Sequence, residues 1–268
     1  MSNEIIIKTN KTTNYLYSNL KNADVATVFL HGFMGSSKSW EDIIHDLNFP
    51  CLLFDLPGHG KSIFNNLSAK YDIDTWCHEF NYILDYQGLS KVNLMGYSMG
   101  GRLSIAFASK YPDKINKLIL ESCSLGIKDS KQRGVRLNED LSLCDQIQTD
   151  LYGFVKKWED NELFINQRFR NPEGFLSQRK DRLSANSKQL AKSLKSFSLG
   201  KMDWMDEAFA KFQFPIYVIN GSEDSKYLNF SKKMSEINDN VIHRIIPNSG
   251  HNTHLEQKTD FIDCLKGC

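Results

Sequence analysis

The 268-residue sequence carries almost no net charge: 33 Lys and Arg against 32 Asp and Glu leave +1 with the histidines neutral. No long block of like charge breaks this balance. There is no overall pull toward nucleic acid or an anionic membrane, and neither is expected as a partner. Long apolar runs are also missing. The stretch Met1-Ser-Asn-Glu-Ile-Ile-Ile-Lys8 has no basic segment leading into an apolar run and a cleavage site, and nothing later approaches membrane-spanning length. A cytoplasmic protein is expected. The six cysteines (Cys51, Cys77, Cys123, Cys144, Cys264, Cys268) form no C-x-x-C pair and no Cys/His cluster at metal-ligand spacing. They read as reduced, mostly buried thiols, with no metal site, no cofactor and no disulfide framework expected. Internal repeats and low-complexity tracts are absent as well.

What is present is an ordinary globular composition, 41% hydrophobic and 24% charged, long enough for one main domain with an insertion. Its first half alternates short β-rich runs with amphipathic segments. Asp24–Leu30 is followed by Trp40–Leu47, and Cys51–Asp55 by Ile73–Gln87, where Ile73, Trp76, Cys77, Phe80, Ile83 and Leu84 recur at helical spacing before Gly88. Further strands are expected at Val92–Met95, Lys117–Ser122, Phe214–Asn220 and Val241–Ile246, with an N-terminal hairpin from Ile5–Ile7 and Tyr15–Tyr17. Such alternation predicts an α/β fold with a mostly parallel central sheet flanked by helices. Between Gly126 and Phe212 the texture becomes polar and amphipathic, which predicts a helical cap inserted over the carboxyl edge of the sheet. The expected division is a core of residues 1–125 and 213–268 interrupted by a cap of residues 126–212.

Gly96-Tyr-Ser-Met-Gly-Gly-Arg102 follows one predicted strand and opens the helical run Leu103–Phe107. A serine on so sharp a strand-to-helix turn sits in strained backbone, and Gly96 and Gly100 leave the room it needs. The helix start supplies a positive dipole end and free N–H groups suited to an oxyanion. Serine is a weak nucleophile or base at neutral pH, so Ser98 needs a histidine, and that histidine needs an acid to hold its tautomer. His251, in the loop after the last strand, is the base expected. Asp224, just after the preceding strand, is the acid, with Glu223 as its rival. The backbone N–H groups of Met99 and Phe33 are the expected oxyanion donors, Phe33 lying in the turn Leu30-His-Gly-Phe-Met-Gly35. His59 is expected to shape a turn, and His45, His78, His243 and His254 are given no role. A competing reading takes Gly32-Phe-Met-Gly-Ser-Ser-Lys38-Ser39 as a phosphate-binding loop with Asp55 on its magnesium strand. It fails on Ser37, which stands where that motif requires glycine, and leaves the Ser98 turn unexplained.

Taken together, Leu30-His-Gly-Phe-Met-Gly35, Asp55-Leu-Pro-Gly-His-Gly-Lys-Ser62, Gly96–Arg102, Gly221-Ser-Glu-Asp-Ser-Lys226 and Gly250-His-Asn-Thr-His254 resemble the α/β-hydrolase superfamily over nearly the whole chain. More narrowly, the sequence resembles the 2-succinyl-6-hydroxy-2,4-cyclohexadiene-1-carboxylate (SHCHC) synthases of menaquinone biosynthesis, through Gly96–Arg102, Glu121-Ser-Cys-Ser-Leu-Gly126 and Asp224-Ser-Lys226. That resemblance implies a lyase that removes a proton alpha to a succinyl ketone and expels pyruvate, with Ser98 as base and the Phe33 and Met99 N–H groups on the dienolate. It further implies substrate contacts from Tyr97, Arg136, Trp158 and Arg182, with Arg133 an alternative to Arg136. Independently, Arg102 lies one helical turn beyond Ser98, where a permanently charged fork suits a carboxylate better than a fatty acyl chain. The expected partner is a small polycarboxylate bound by a monomer or small homo-oligomer. A serine hydrolase of the same fold (esterase, thioesterase or C–C bond hydrolase) is the alternative, and a non-enzymatic ligand-binding module the third reading.

Overall fold

The computed structural model describes residues 3–20 and 25–268. An antiparallel hairpin of β1 (Asn3–Lys8) and β2 (Thr12–Ser18) is followed by β3 (Val25–Leu30), α1 (Lys38–Ile44), β4 (Cys51–Phe54) and the short β5 (Ile63–Phe64). Then come α2 (Ile73–Tyr86), β6 (Lys91–Tyr97), α3 (Met99–Lys110) and β7 (Ile115–Glu121). A helical segment follows: α4 (Ser130–Thr149), α5 (Leu151–Glu159), α6 (Gln167–Arg170), α7 (Pro172–Leu183), α8 (Ser187–Ser196) and α9 (Asp206–Phe209). The chain returns to the sheet through β8 (Ile216–Gly221), α10 (Ser225–Ile237) and β9 (Val241–Ile246), and ends in α11 (Thr253–Glu256) and α12 (Lys258–Lys266).

The sheet order is β1-β2-β4-β3-β6-β7-β8-β9, with β5 paired to β2. Every neighbouring pair from β4 onward is parallel, while β2 runs antiparallel to both β1 and β4. The central strands are apolar on both faces, as strands sandwiched between helices must be. Val28, Leu30, Leu94, Leu118, Leu120 and Val218 point to the side covered by α2, α3 and α10. Their alternate neighbours Phe29, Met95, Ile119 and Ile219 meet Trp40 and Ile43 of α1 and Phe261 and Ile262 of α12.

Several boundaries differ from those expected. Asp24, the first residue of one predicted strand, lies outside the described residues. The strand expected from Phe214 starts at Ile216, because Pro215 has no N–H to give a ladder and contributes only its carbonyl, to Leu118 N at 3.0 Å. Strand β5 was not expected; two residues carry too little pattern to be read. Helix α2 begins where its periodicity does, with Asp72 as N-cap accepting from Thr75 N at 2.9 Å.

The inserted helices have an apolar centre of their own, in which Cys144, Ile147, Phe154, Val155, Leu190 and Leu194 close around Met34 from the core. Packing divides earlier than composition does: Phe197, Phe209 and Phe212 belong to the core layer beneath α2 and α3. Those aromatics lie inside the polar stretch 126–212, so their burial is invisible to a composition window.

Candidate active site

Ser98 sits between β6 and α3 with φ 51° and ψ −107°, a backbone conformation that L-residues avoid and that stores roughly 1–3 kcal/mol. Its neighbours show why glycine surrounds it. A Cβ on Gly96 would lie 2.4 Å from Ser104 Oγ, and one on Gly100 2.4 Å from the Leu30 carbonyl oxygen. Helix α3 can therefore start against β3 only if both positions lack side chains. The turn is held from the neighbouring strand, since Ser98 N donates to Glu121 O at 2.9 Å.

His251 Nε2 stands 3.1 Å from Ser98 Oγ, and Nδ1 stands 2.8 Å from Asp224 Oδ2. A carboxylate only accepts, so Nδ1 carries the proton and Nε2 is free to accept from the serine hydroxyl. Asp224 occupies the N-cap position of α10 yet makes no side-chain cap bond; its carboxylate goes to His251 instead. Glu223 turns away to pair with Arg170. Between the two acids considered, geometry selects Asp224.

The loop after β3 is aimed by a histidine. His31 Nε2 accepts from Leu56 N at 3.0 Å, so its Nδ1 is the protonated nitrogen and donates to the Gly32 carbonyl at 2.7 Å. That carbonyl also accepts from Gly35 N at 3.0 Å. Because the peptide is planar and trans, fixing the Gly32 C=O on one side turns the Phe33 N–H to the other. Among the described residues neither the Phe33 nor the Met99 N–H has a hydrogen-bond partner within the protein. Met34, not a glycine, adopts the positive φ of this turn, at 63°. Burial lowers His31 to a pKa of about 4, and holds the adjacent His59 well below the ordinary imidazole value. Both are neutral at physiological pH. His59 lies edge-on to His31 and Phe33, with ring centroids 4.9 and 5.6 Å away, in keeping with the turn-shaping part expected of it. Asp55 accepts from Ser37 N at 2.6 Å and from Lys61 N at 2.7 Å, so it ties two loops together. The Ser37 N–H that a phosphate loop would offer its ligand is thus occupied, and Lys38 is turned to Asp181.

A cavity of about 590 Å³ opens over Ser98, between the sheet edge and the inserted helices. Ten of the residues singled out from the sequence line it: Phe33, Tyr97, Ser98, Met99, Arg102, Arg136, Trp158, Arg182, Asp224 and His251. Their electrostatic states differ. Arg136 donates to Asp140, which is fully buried and also accepts from Ser198 Oγ at 2.7 Å. Arg182 is held by Glu159 at 3.2 Å and Gln178 at 2.8 Å. Arg102 has no acid: its one side-chain partner among the described residues is the Phe197 carbonyl, at 3.4 Å. Burial lowers its pKa to about 10, and the nearby Arg136 pushes the same way, so it stays charged at neutral pH. Arg133 is turned to the Ile127 and Lys128 carbonyls and does not line the cavity. Trp158 reaches from α5 onto the Phe33 ring at 5.4 Å and stacks on Phe164, which itself meets His251 edge-on. Among the described residues no group of three His, Cys, Asp or Glu side chains could hold a metal ion.

Some contributors escaped the sequence reading. Tyr227 lies 4.4 Å from the His251 ring, one turn into α10. The fully buried Glu121 accepts from Thr253 Oγ1 at 2.6 Å, His254 N at 3.1 Å and His254 Nδ1 at 2.7 Å, so it pins the segment directly after His251. His254, which was given no role, is the inner anchor of that loop. A carboxylate ending the apolar strand Ile115–Glu121 was the available signal, since a buried acid requires partners.

The alpha/beta hydrolase fold family matches residues 26–258. A Bacillus subtilis (strain 168) protein carrying the name 2-succinyl-6-hydroxy-2,4-cyclohexadiene-1-carboxylate synthase is 32% identical over 90% of this chain and 88% of its own length. The synthase of that name from Serratia proteamaculans is 27% identical over 87% of this chain and 89% of its own. In three dimensions, the structure of MenH from S. aureus superposes with a TM-score of 0.88 at 28% identity, covering 97% of each chain. The chain belongs to the α/β-hydrolase family, and within it resembles the SHCHC synthases.

Proposed function

We propose that this chain is a carbon–oxygen lyase of menaquinone biosynthesis, eliminating pyruvate from 2-succinyl-5-enolpyruvyl-6-hydroxy-3-cyclohexene-1-carboxylate to give SHCHC. In this reading Ser98, His251 and Asp224 act as a triad whose serine oxygen takes the proton alpha to the succinyl ketone while its own proton passes to His251 Nε2. The electron pair moves onto the ketone oxygen, where the Phe33 and Met99 N–H groups receive the charge. Its return expels the enolpyruvyl oxygen as the ring C–O bond breaks, the proton held on His251 Nε2 passes to the departing pyruvate enolate, and pyruvate leaves without water entering either product.

The observation that carries this reading over simple ester hydrolysis is Arg102. A half-buried guanidinium with no acid among the described residues, one turn from Ser98 and lining the same cavity, suits an anion. A substrate with three carboxylates supplies one. Arg136, Arg182, Tyr97 and Trp158 line the remainder of that cavity and are assigned to substrate binding. The family's hydrolases use the same three-residue arrangement for acyl transfer, so the test must read the reaction itself.

Turnover of the enolpyruvyl cyclohexene substrate in oxygen-18 water should yield pyruvate and the conjugated diene in equal amounts, with no label in any product carboxylate. Absence of the diene, or efficient labelled-acid release from simple esters, overturns the lyase assignment. Arg102→Met should lower kcat/KM roughly 10- to 100-fold through loss of a charged hydrogen-bond pair, and Ser98→Ala should abolish turnover.

A further inference from the structure

Arg170, at the end of α6 in the inserted helices, reaches down to the core with both guanidinium branches. One donates to Glu223, the residue before Asp224, and the other to Glu256. The Glu256 side chain is 1% exposed, and its Oε2 also accepts from Gly250 N at 2.8 Å, directly before His251. The two loops touch independently, with Glu223 N donating to Ser249 O at 2.9 Å. The next residue of the cap, Asn171, donates from Nδ2 to the Leu255 carbonyl at 3.0 Å. A single cation therefore spans the loop that carries the acid and the loop that carries the base.

We propose that Arg170 is a positioning residue for catalysis, a strap from the inserted helices that sets the spacing of His251 and Asp224. The inference rests on the triad reading given above and adds to it a residue that never lines the cavity. Its physical basis is the arrangement of charges. A carboxylate as buried as that of Glu256 calls for a cation beside it, and the Gly250 N–H alone leaves its charge unbalanced. Removing Arg170 leaves that carboxylate without its cation and drives the Glu256 side chain to turn toward water. That movement releases the Gly250 N–H, and with it the backbone that aims the His251 ring. Losing the Glu223 contact frees the Asp224 loop at the same moment. By contrast Lys38–Asp181, at 2.8 Å, also joins core to cap but touches neither loop.

Three readouts on the full-length protein test this. Arg170→Gln should lower kcat roughly 10- to 100-fold, the scale for a displaced catalytic group, with KM changed less than about threefold. The rate at which a small alkyl fluorophosphonate modifies Ser98 should fall in parallel, because it reads serine activation without the substrate's carboxylates. Amide hydrogen exchange should quicken in residues 222–226 and 248–256. Arg170→Lys, which keeps the charge but not the fork, should recover part of the rate, and Lys38→Gln should match the parent in all three. Labelling and loop exchange within twofold of the parent in Arg170→Gln overturn the proposal. Should that variant fail to fold, Glu223→Gln, which cuts only the half-exposed arm, is expected to slow labelling at least about threefold; an unchanged rate overturns the proposal equally. A parent protein whose Ser98 is not labelled counts against the triad reading, while loop exchange still judges the strap on its own.

Discussion

At the scale of single residues, the informative contrast is between three arginines around the site that are tied to an acid and a fourth, Arg102, that is not. Arg136, Arg182 and Arg170 are each tied to a carboxylate. Among the described residues Arg102 is not, and in the proposed reading that leaves it to meet a ligand's carboxylate. Buried histidines tell a similar story through pH. His31 binds its proton at about pH 4 when folded, against an ordinary value of 6.5, because burial disfavours the cation. Between those values the unfolded chain holds more protons than the native one, so native stability is fully present above about pH 6.5 and drains as pH falls toward 4. The full contribution of His31 is on the order of 3 kcal/mol. Urea unfolding at a series of pH values should show this decline, and His31→Asn should flatten it between pH 6.5 and 4 while lowering stability near neutrality. An equal slope in both proteins would sink the assignment.

At the scale of elements, the site is an outcome of how closely β3, β6 and α3 approach. A methyl group on Gly100 would meet the Leu30 and His31 carbonyl oxygens at 2.4 and 2.6 Å, both of them backbone atoms that cannot swing aside. Gly100→Ala must therefore push α3 away from β3, which widens the gap between the Met99 and Phe33 N–H groups. Overpacking of this kind lowers stability by roughly 1–3 kcal/mol, and urea midpoints measure it. Pyruvate release should drop more than about tenfold, since an oxyanion donor moved out of reach is worth that much or more. Normal turnover in a destabilised Gly100→Ala protein would separate the turn from the chemistry.

At the scale of the whole molecule, a sheet covered on both faces leaves its apolar side chains little access to water. Cys51, Cys77, Cys123 and Cys144 are buried and unpaired, and burial raises their thiol pKa values to about 12, 12, 12 and 11. Thiolate is the reactive form, so of the half-buried pair Cys264, whose pKa the hydrogen bond with Cys268 lowers, should react with a disulfide reagent within minutes, and Cys268, whose pKa the same contact raises, more slowly. The other four should react only as the protein unfolds. Fast titration of all six thiols without denaturant would contradict this layered packing.

The sequence alone determined the alternation of strand and helix, the glycines around Ser98, the order of serine, acid and histidine, and the polar stretch that became the inserted helices. These are local signals: a period, a steric requirement, a spacing along one chain. Tertiary structure decided what depends on distance between segments far apart in sequence. It chose Asp224 over Glu223, because Glu223 meets Arg170 from α6. It moved Phe197, Phe209 and Phe212 out of the cap and into the core, and it gave His254 a partner in Glu121, 133 positions away. It also left Arg102 without an acid among the described residues. Whether a charge is paired is a property of the three-dimensional neighbourhood, and a sequence read along one dimension records the charge without recording its partner.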